Sequence, residues 1–154
     1  MRLAACAVIF RANRVLLGRR AASRSYYPGA WDIFGGHVLA DETPAMGVVR
    51  ELEEELGIQA VVAGPALVMS EPNPDTHGPG EFHVFLVREW HGEPALSNDE
   101  HDALGWFTLA EAAALALTDP AIVQVLEQVA PWDAPCDRAS NPTPLELLDP
   151  SCRV

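Results

Sequence analysis

Residues 36–58 read GHVLADETPAMGVVRELEEELGI, and four of the nine residues that close this run are glutamates (Glu51, Glu53, Glu54, Glu55). Thr43-Pro44 predicts a helix start, because the residue before a proline avoids α geometry and proline suits the first helical position. Gly57 supplies a left-handed stop, so the helix is predicted over residues 44–56. At about 100° per residue, with Val48 as zero, Leu52, Ala45, Leu56 and Val49 fall within about 100° and form one buried arc. Glu55, Glu51 and Glu54 fall at about 340°, 300° and 240°, a stripe bordering that arc with Gly47 leaving space inside it. Glu53 stands apart at about 140° and is read as a solvated extra.

Three carboxylates beside a buried face repel one another and raise each other's pKa unless a cation neutralises them. Hard divalent ions take such oxygen ligands. An acidic solvent face with Arg50 paired to Glu54 at i,i+4 is the other reading the helix alone allows. The flanks add Gly35-Gly36, where backbone can approach a ligand closely, and Glu42 in the loop leading to the helix.

Together these residues resemble the signature of the Nudix hydrolases. Gly36, Glu42, Arg50, Glu51, Leu52, Glu54, Glu55, Gly57 and Ile58 occupy the specified places of that pattern, and Glu53 falls on a free one. WDIFGG at 31–36 resembles the family's approach to the motif, with Phe34 where proline is usual. GEP at 92–94 and EHDALGWFTLAEA at 100–112 look like its final strand and closing helix. The resemblance implies an α/β domain, an α/β/α sandwich with a mixed β-sheet. It also implies hydrolysis of a pyrophosphate bond in a nucleoside diphosphate linked to another group, dependent on Mg2+ with Mn2+ as substitute. Carried over, Glu51, Glu54, Glu55, Glu100 and the Gly36 carbonyl would be metal ligands. Glu51, Glu54 and Arg50 would be the catalytic set, with Arg50 orienting the carboxylates. Glu42 would anchor its loop or reach a metal through water, and the general base stays open among Glu51, Glu71 and Glu81.

Outward from the motif, LAACAVIF (3–10) and VLL (15–17) predict two strands joined at Arg11–Arg14. This apolar opening reads as a strand rather than a signal peptide. Residues 60–69 look extended with a bend at Gly64-Pro65, residues 70–80 form a loop, and FHVFLVREW (82–90) predicts one continuous strand. A capping box at Thr108 and Glu111 opens a helix over 108–117. Asp119-Pro120 caps another, with Ile122, Val123, Leu126 and Val129 as its apolar face. The domain is expected over residues 1–130. Residues 131–154 form a proline-rich tail expected to pack on it through Trp132, Leu145, Leu147 and Leu148.

The chain has 154 residues and a net charge of −12, yet residues 1–31 hold six arginines and no acid. That acidity argues against a long nucleic-acid partner but leaves room for a small anionic one. Arg19, Arg20 and Arg24 are the candidate phosphate contacts, and Tyr26, Tyr27, Phe82 or Phe85 could stack a base. No apolar run spans a bilayer, and three scattered cysteines without a CxxC pair fit a reducing cytoplasmic setting. The five histidines show no zinc spacing. The substrate stays open between a nucleoside triphosphate and ADP-ribose. A silent nucleotide-binding module and an isopentenyl diphosphate isomerase are the rival readings, the latter lacking a well-placed cysteine. A homodimer is possible by resemblance to relatives.

Overall fold

The computed structural model describes residues 2–71 and 80–133. Strands β1 (Arg2–Arg11), β2 (Arg14–Arg20), β3 (Trp31–Asp32), β4 (Phe34–His37), β6 (Leu67–Glu71), β7 (Gly80–Val87) and β9 (His101–Phe107) form one sheet. Its path runs β3-β2-β1-β7-β6, with β4 beside β1 and β9 beside β2. The β1–β7 pairing is parallel and the others are antiparallel, so the sheet is mixed. Strands β5 (Gln59–Val61) and β8 (Glu89–His91) make a separate antiparallel ribbon.

β1 explains the layering. Because successive side chains alternate across a strand, Ala5, Ala7 and Ile9 enter one core while Val8 and Phe10 enter the other. Both faces are covered, so the strand reads as almost continuously apolar. Helix α1 (Pro44–Leu56) packs Val48, Leu52 and Leu56 on the first face with Phe34 and Phe85. Helices α2 (Leu109–Ala113) and α3 (Ile122–Val129) cover the second with Ala112, Ile122, Val125 and Leu126. The result is the α/β/α sandwich expected from the resemblance.

Several local expectations change. The strand expected at 82–90 breaks at Arg88, because Glu89–His91 leave the main sheet to pair with Gln59–Val61. The bend at Gly64-Pro65 likewise divides 60–69 between the ribbon and the main sheet. The capping box at Thr108 forms, with Glu111 reciprocating, but the helix ends at Ala113. Beyond it the chain turns so that Leu117 bridges Trp31. Asp119 accepts from the Ala121 amide at 2.8 Å and so caps the turn before α3, whose own N-cap, Ala121, has no side-chain bond. Val125, not Val123, completes the buried face of α3. Trp132 packs edge-on to Phe10 at 5.1 Å and donates its indole N–H to the Leu126 carbonyl at 2.7 Å. Leu145, Leu147 and Leu148 lie outside the described residues. Among the described residues no helix is long and apolar enough to cross a membrane.

Candidate active site

Helix α1 begins as its sequence dictates. Thr43 is extended, its hydroxyl accepts from the Met46 amide at 3.2 Å, and Gly57 ends the helix at φ 68° with its amide on the Glu53 carbonyl. The glutamates therefore crowd the C-terminal half, where the macrodipole is negative and no basic residue stands in the last turn. Burial follows their angular distance from Val48. Glu55, nearest the core, is 2% exposed; Glu51 is half-buried and Glu54 is exposed. Gly47 is not beside open space: a Cβ there would lie 3.4 Å from Glu42 Oε1 and from Val38 Cγ2.

Arg50 gathers the acids. Its Nε and Nη2 donate to the two oxygens of Glu42 at 2.7 and 3.1 Å, a bidentate pair. Nη1 donates to Glu51 Oε1 at 3.1 Å and to Glu54 Oε2 at 3.2 Å, and Nη2 also reaches the His37 carbonyl at 3.0 Å. Glu42 Oε1 further accepts from the Leu39 amide at 2.9 Å, which ties the loop 37–43 to the helix. Its carboxyl is held below the usual range chiefly by the Arg50 hydrogen bonds. Lysine has a single ammonium and cannot reproduce this fork. Arg50→Lys is therefore expected to release Glu51 and Glu54 from their shared donor and to lower kcat by about 10- to 100-fold, the usual cost of losing a group that orients others; a kcat measurement checks it.

The last carbonyls of α1 bring in the fourth acid. Ala95 and Ser97 donate their amides to the Leu56 and Glu55 carbonyls, each at 3.1 Å, and the Ser97 hydroxyl caps the Glu54 carbonyl at 2.6 Å. The Ala21 amide then holds the Glu100 carbonyl at 3.0 Å. So fixed, the Glu100 carboxyl meets that of Glu55. Burial, then the charges of Glu100 and Glu51, push Glu55 up to about 9, although the Gly35 amide donates to it. Glu55 Oε2 has no hydrogen-bond partner. Among the described residues, no three His, Cys, Asp or Glu side chains converge tightly enough to hold an ion as they stand. Arg50 holds Glu51 and Glu54 on its own side of the helix.

The glycine pair lies directly beneath. Gly35 and Gly36 pair with Cys6 and Ala5 on β1, and a Cβ on Gly36 would collide with the Glu51 carboxylate. Gly35-Gly36 and His37 also rim a cavity of about 710 Å³ on the α3 side of the sheet, with Cys6, Phe82 and Val84 on its floor. Burial, then the charges of Asp32, Glu55 and Glu51, push the Cys6 thiol up to about 12.

Of the arginines proposed for phosphate, Arg20 lines this cavity, its Nε fixed on the Tyr26 carbonyl at 2.8 Å. Arg19 pairs instead with Asp102 at 2.7 Å and stacks over Trp31, and the amide of Arg24 turns back to the Ala21 carbonyl at 3.1 Å. Tyr26 and Tyr27 stand exposed at the cavity, Tyr27 with φ 50°, whereas Phe85 is core. Glu81 is bonded to His83 at 3.1 Å, and the side chain of Glu71 lies outside the described residues. Asp32, Thr118 and Asp119 also line the cavity, and the sequence did not mark them as site residues. His101, one of the five histidines without zinc spacing, is buried against Phe34 at 5.0 Å, and desolvation lowers its pKa.

These shifts fix a pH dependence. Glu55 is protonated when folded up to about pH 9 but ionises near 4.5 when unfolded, so the native state binds the extra proton in between. Stability of the metal-free protein should fall as pH rises through that window, and Asp32, raised by burial from 3.8 to about 6, adds the same sign at its lower end. Melting temperatures measured between pH 5 and 9 in chelator should decline.

Comparison with known proteins gives the family of the chain. Residues 1–129 match the NUDIX domain family. The chain is 37% identical over 121 residues to a CTP pyrophosphohydrolase of Escherichia coli K12, covering 79% of this chain and 85% of that one. It is 32% identical over 93 residues to an 8-oxo-dGTP diphosphatase of Proteus vulgaris, covering 60% and 80%. A solved MutT NUDIX hydrolase from Burkholderia pseudomallei superposes with a TM-score of 0.72 at 34% identity, covering 84% of this chain and 98% of that one.

Proposed function

The chain belongs to the Nudix family as a pyrophosphohydrolase, and we propose that it hydrolyses nucleoside triphosphates to a nucleoside monophosphate and pyrophosphate. In this reading Glu51, Glu54, Glu55, Glu100 and the Gly36 carbonyl hold magnesium, or manganese in its place. The observation that carries the proposal is Glu55, a nearly fully buried carboxyl with one oxygen lacking a partner, pressed against a second carboxyl. A buried acid in that state is expensive unless a cation completes it. The Gly36 position fits as well, since any side chain there would displace Glu51. When bound, such an ion supplies charge neutralisation for the diphosphate and activation of water.

The protein's own groups then divide the work. Arg50 restrains Glu51 and Glu54, so their orientation does not have to be found at each turnover. Glu42 locks the loop that carries His37 against the helix. Glu51, half-buried over Gly36, is the proposed proton acceptor. Water oxygen bonds to the α-phosphorus, the bridging P–O bond breaks, pyrophosphate leaves, and the water's proton passes to a Glu51 carboxylate oxygen. The cavity beyond the glycine pair would take the nucleoside, with Arg20 beside the phosphates and Tyr26 or Tyr27 over the base.

A triphosphate is favoured over ADP-ribose because both named relatives act on nucleoside triphosphates by their descriptions. The test is product analysis with magnesium on the four common triphosphates and ADP-ribose. Monophosphate plus pyrophosphate is expected, abolished by chelator. Release of inorganic phosphate and a diphosphate, or faster turnover of ADP-ribose, would refute it.

A further inference from the structure

We infer that Ser97 and Asn98 are positioning residues: their side chains hold Glu100 against the end of α1 and so set how tightly the acidic cluster takes a divalent cation. The inference rests on the metal reading proposed above and concerns two residues outside the 36–58 run.

The connection from β8 to β9 crosses the C-terminal end of α1, where the last four carbonyls have no partner within a helix. Each of them is met. The Gly57 amide donates to Glu53 at 2.9 Å and the Ser97 hydroxyl to Glu54 at 2.6 Å. The amides of Ser97 and Ala95 donate to Glu55 and Leu56, each at 3.1 Å. Three of these four donors thus come from residues 95–97, and the side chain among them is that of Ser97. One residue on, Asn98 Oδ1 accepts from the Glu100 amide at 3.1 Å, an Asx turn that redirects the chain toward β9. The Ala21 amide holds the Glu100 carbonyl at 3.0 Å, and His101 is buried against Phe34. Both backbone groups of Glu100 are therefore fixed, and its carboxyl is left only its own torsions.

This placement has to be enforced. Glu100 meets Glu55 at the negative end of α1, and two carboxylates ionised to receive a cation repel one another until it arrives. Solvent would otherwise be the relaxed place for Glu100. A helix end of this sign commonly carries lysine or arginine, but a fixed cation would compete with the ion for the same carboxylates. No basic residue stands in the last turn of α1, and Ser97 satisfies the Glu54 carbonyl with a neutral hydroxyl. The residues whose carbonyls Ser97 caps, Glu54 and Glu55, are themselves proposed ligands, so the same contact sets the register between them and Glu100. Ligands placed in advance lose less freedom on binding, and loosening them weakens the site.

Mn2+ binding, read from the free-ion electron paramagnetic resonance signal, tests this without turnover. A Ser97→Ala/Asn98→Ala double variant of the full chain should bind at least about tenfold more weakly than wild type. Its melting temperature in chelator should stay within about 4 °C. Should the pair lower it further, the single variants carry the comparison, each weaker by about threefold. Ser97→Thr and Asn98→Ser, which keep a hydroxyl donor and a turn-forming acceptor, should each bind within about twofold of wild type. Thr108→Ala removes a cap of the same chemistry from α2 and should leave Mn2+ binding unchanged, so a general loss of stability does not imitate the effect. Alanine variants that bind as tightly as wild type, or equal weakening in Thr108→Ala, would overturn the inference and leave the metal reading standing. A wild-type chain that binds no Mn2+ would overturn that reading and this inference with it.

Discussion

Replacing Glu55 by glutamine should cut magnesium-dependent turnover by about 100- to 1,000-fold while making the metal-free protein more stable. The two effects have one cause. Glu55 is buried against Glu100 and Glu51 on the negative end of α1, and its carboxyl is pushed up to about 9. Holding it protonated at pH 7 against an unfolded value of 4.5 costs up to about 3 kcal/mol. Glutamine keeps the shape and removes that term, so thermal denaturation in chelator should show a rise of several degrees. A negative oxygen for a cation is lost at the same time, worth several kcal/mol of charge stabilisation at about 1.4 kcal/mol per tenfold. A variant both less stable and equally active would contradict this account. Glu54→Gln provides the contrast, because its exposed carboxylate carries no comparable burial cost. It should reduce turnover with little change in melting temperature.

Adding one methyl group to either member of the glycine pair should give opposite failures. At Gly35, φ is 152° and the new Cβ would strike the Ala5 carbonyl and approach Cys6 Cα at 2.7 Å. Both obstacles are backbone of β1, at the centre of the sheet, so Gly35→Ala should destabilise by about 3 kcal/mol or more and express poorly. At Gly36 the obstacle is the Glu51 carboxylate, the free end of a side chain, with its Cδ at 2.6 Å. Gly36→Ala should therefore fold, shift Glu51, and lose activity by about 100-fold or more. Circular dichroism melts alongside kcat separate the two. A fully active Gly36→Ala would remove Glu51 from the site.

The helix and its graded burial were legible from residues 44–57 because both follow from a 100° step and two terminators. Glu55, Glu51 and Glu54 sit at increasing angles from Val48 and become increasingly exposed in that order. The sandwich was legible only through the resemblance; the apolar run of β1, read simply as a strand, turns out to be covered on both faces. The strand break at Arg88 was not, since both halves of 82–90 have strand composition and only long-range pairing with Gln59–Val61 separates them. Asp32 and Asp119 escaped for a similar reason. One sits in a two-residue strand, the other reads as a helix cap, and only the bridge between Trp31 and Leu117 puts them on one wall. Arg19 and Arg20 look interchangeable in sequence, but successive residues of a strand face opposite ways, and the register with β9 shifts between these two. Arg20 lines the cavity while Arg19 pairs with Asp102. Gly47 misled in the other direction, its apparent space being taken up by Glu42 and Val38.

Binding of Mn2+ followed by loss of the free-ion electron paramagnetic resonance signal puts the acidic helix to the most direct test, since it needs neither substrate nor turnover. The wild-type chain should deplete the signal, and an E51Q/E55Q variant of unchanged fold should leave it at least tenfold less depleted at the same concentrations. Equal depletion by both proteins would mean that these side chains do not hold the ion, and the reaction proposed for them would fall with it.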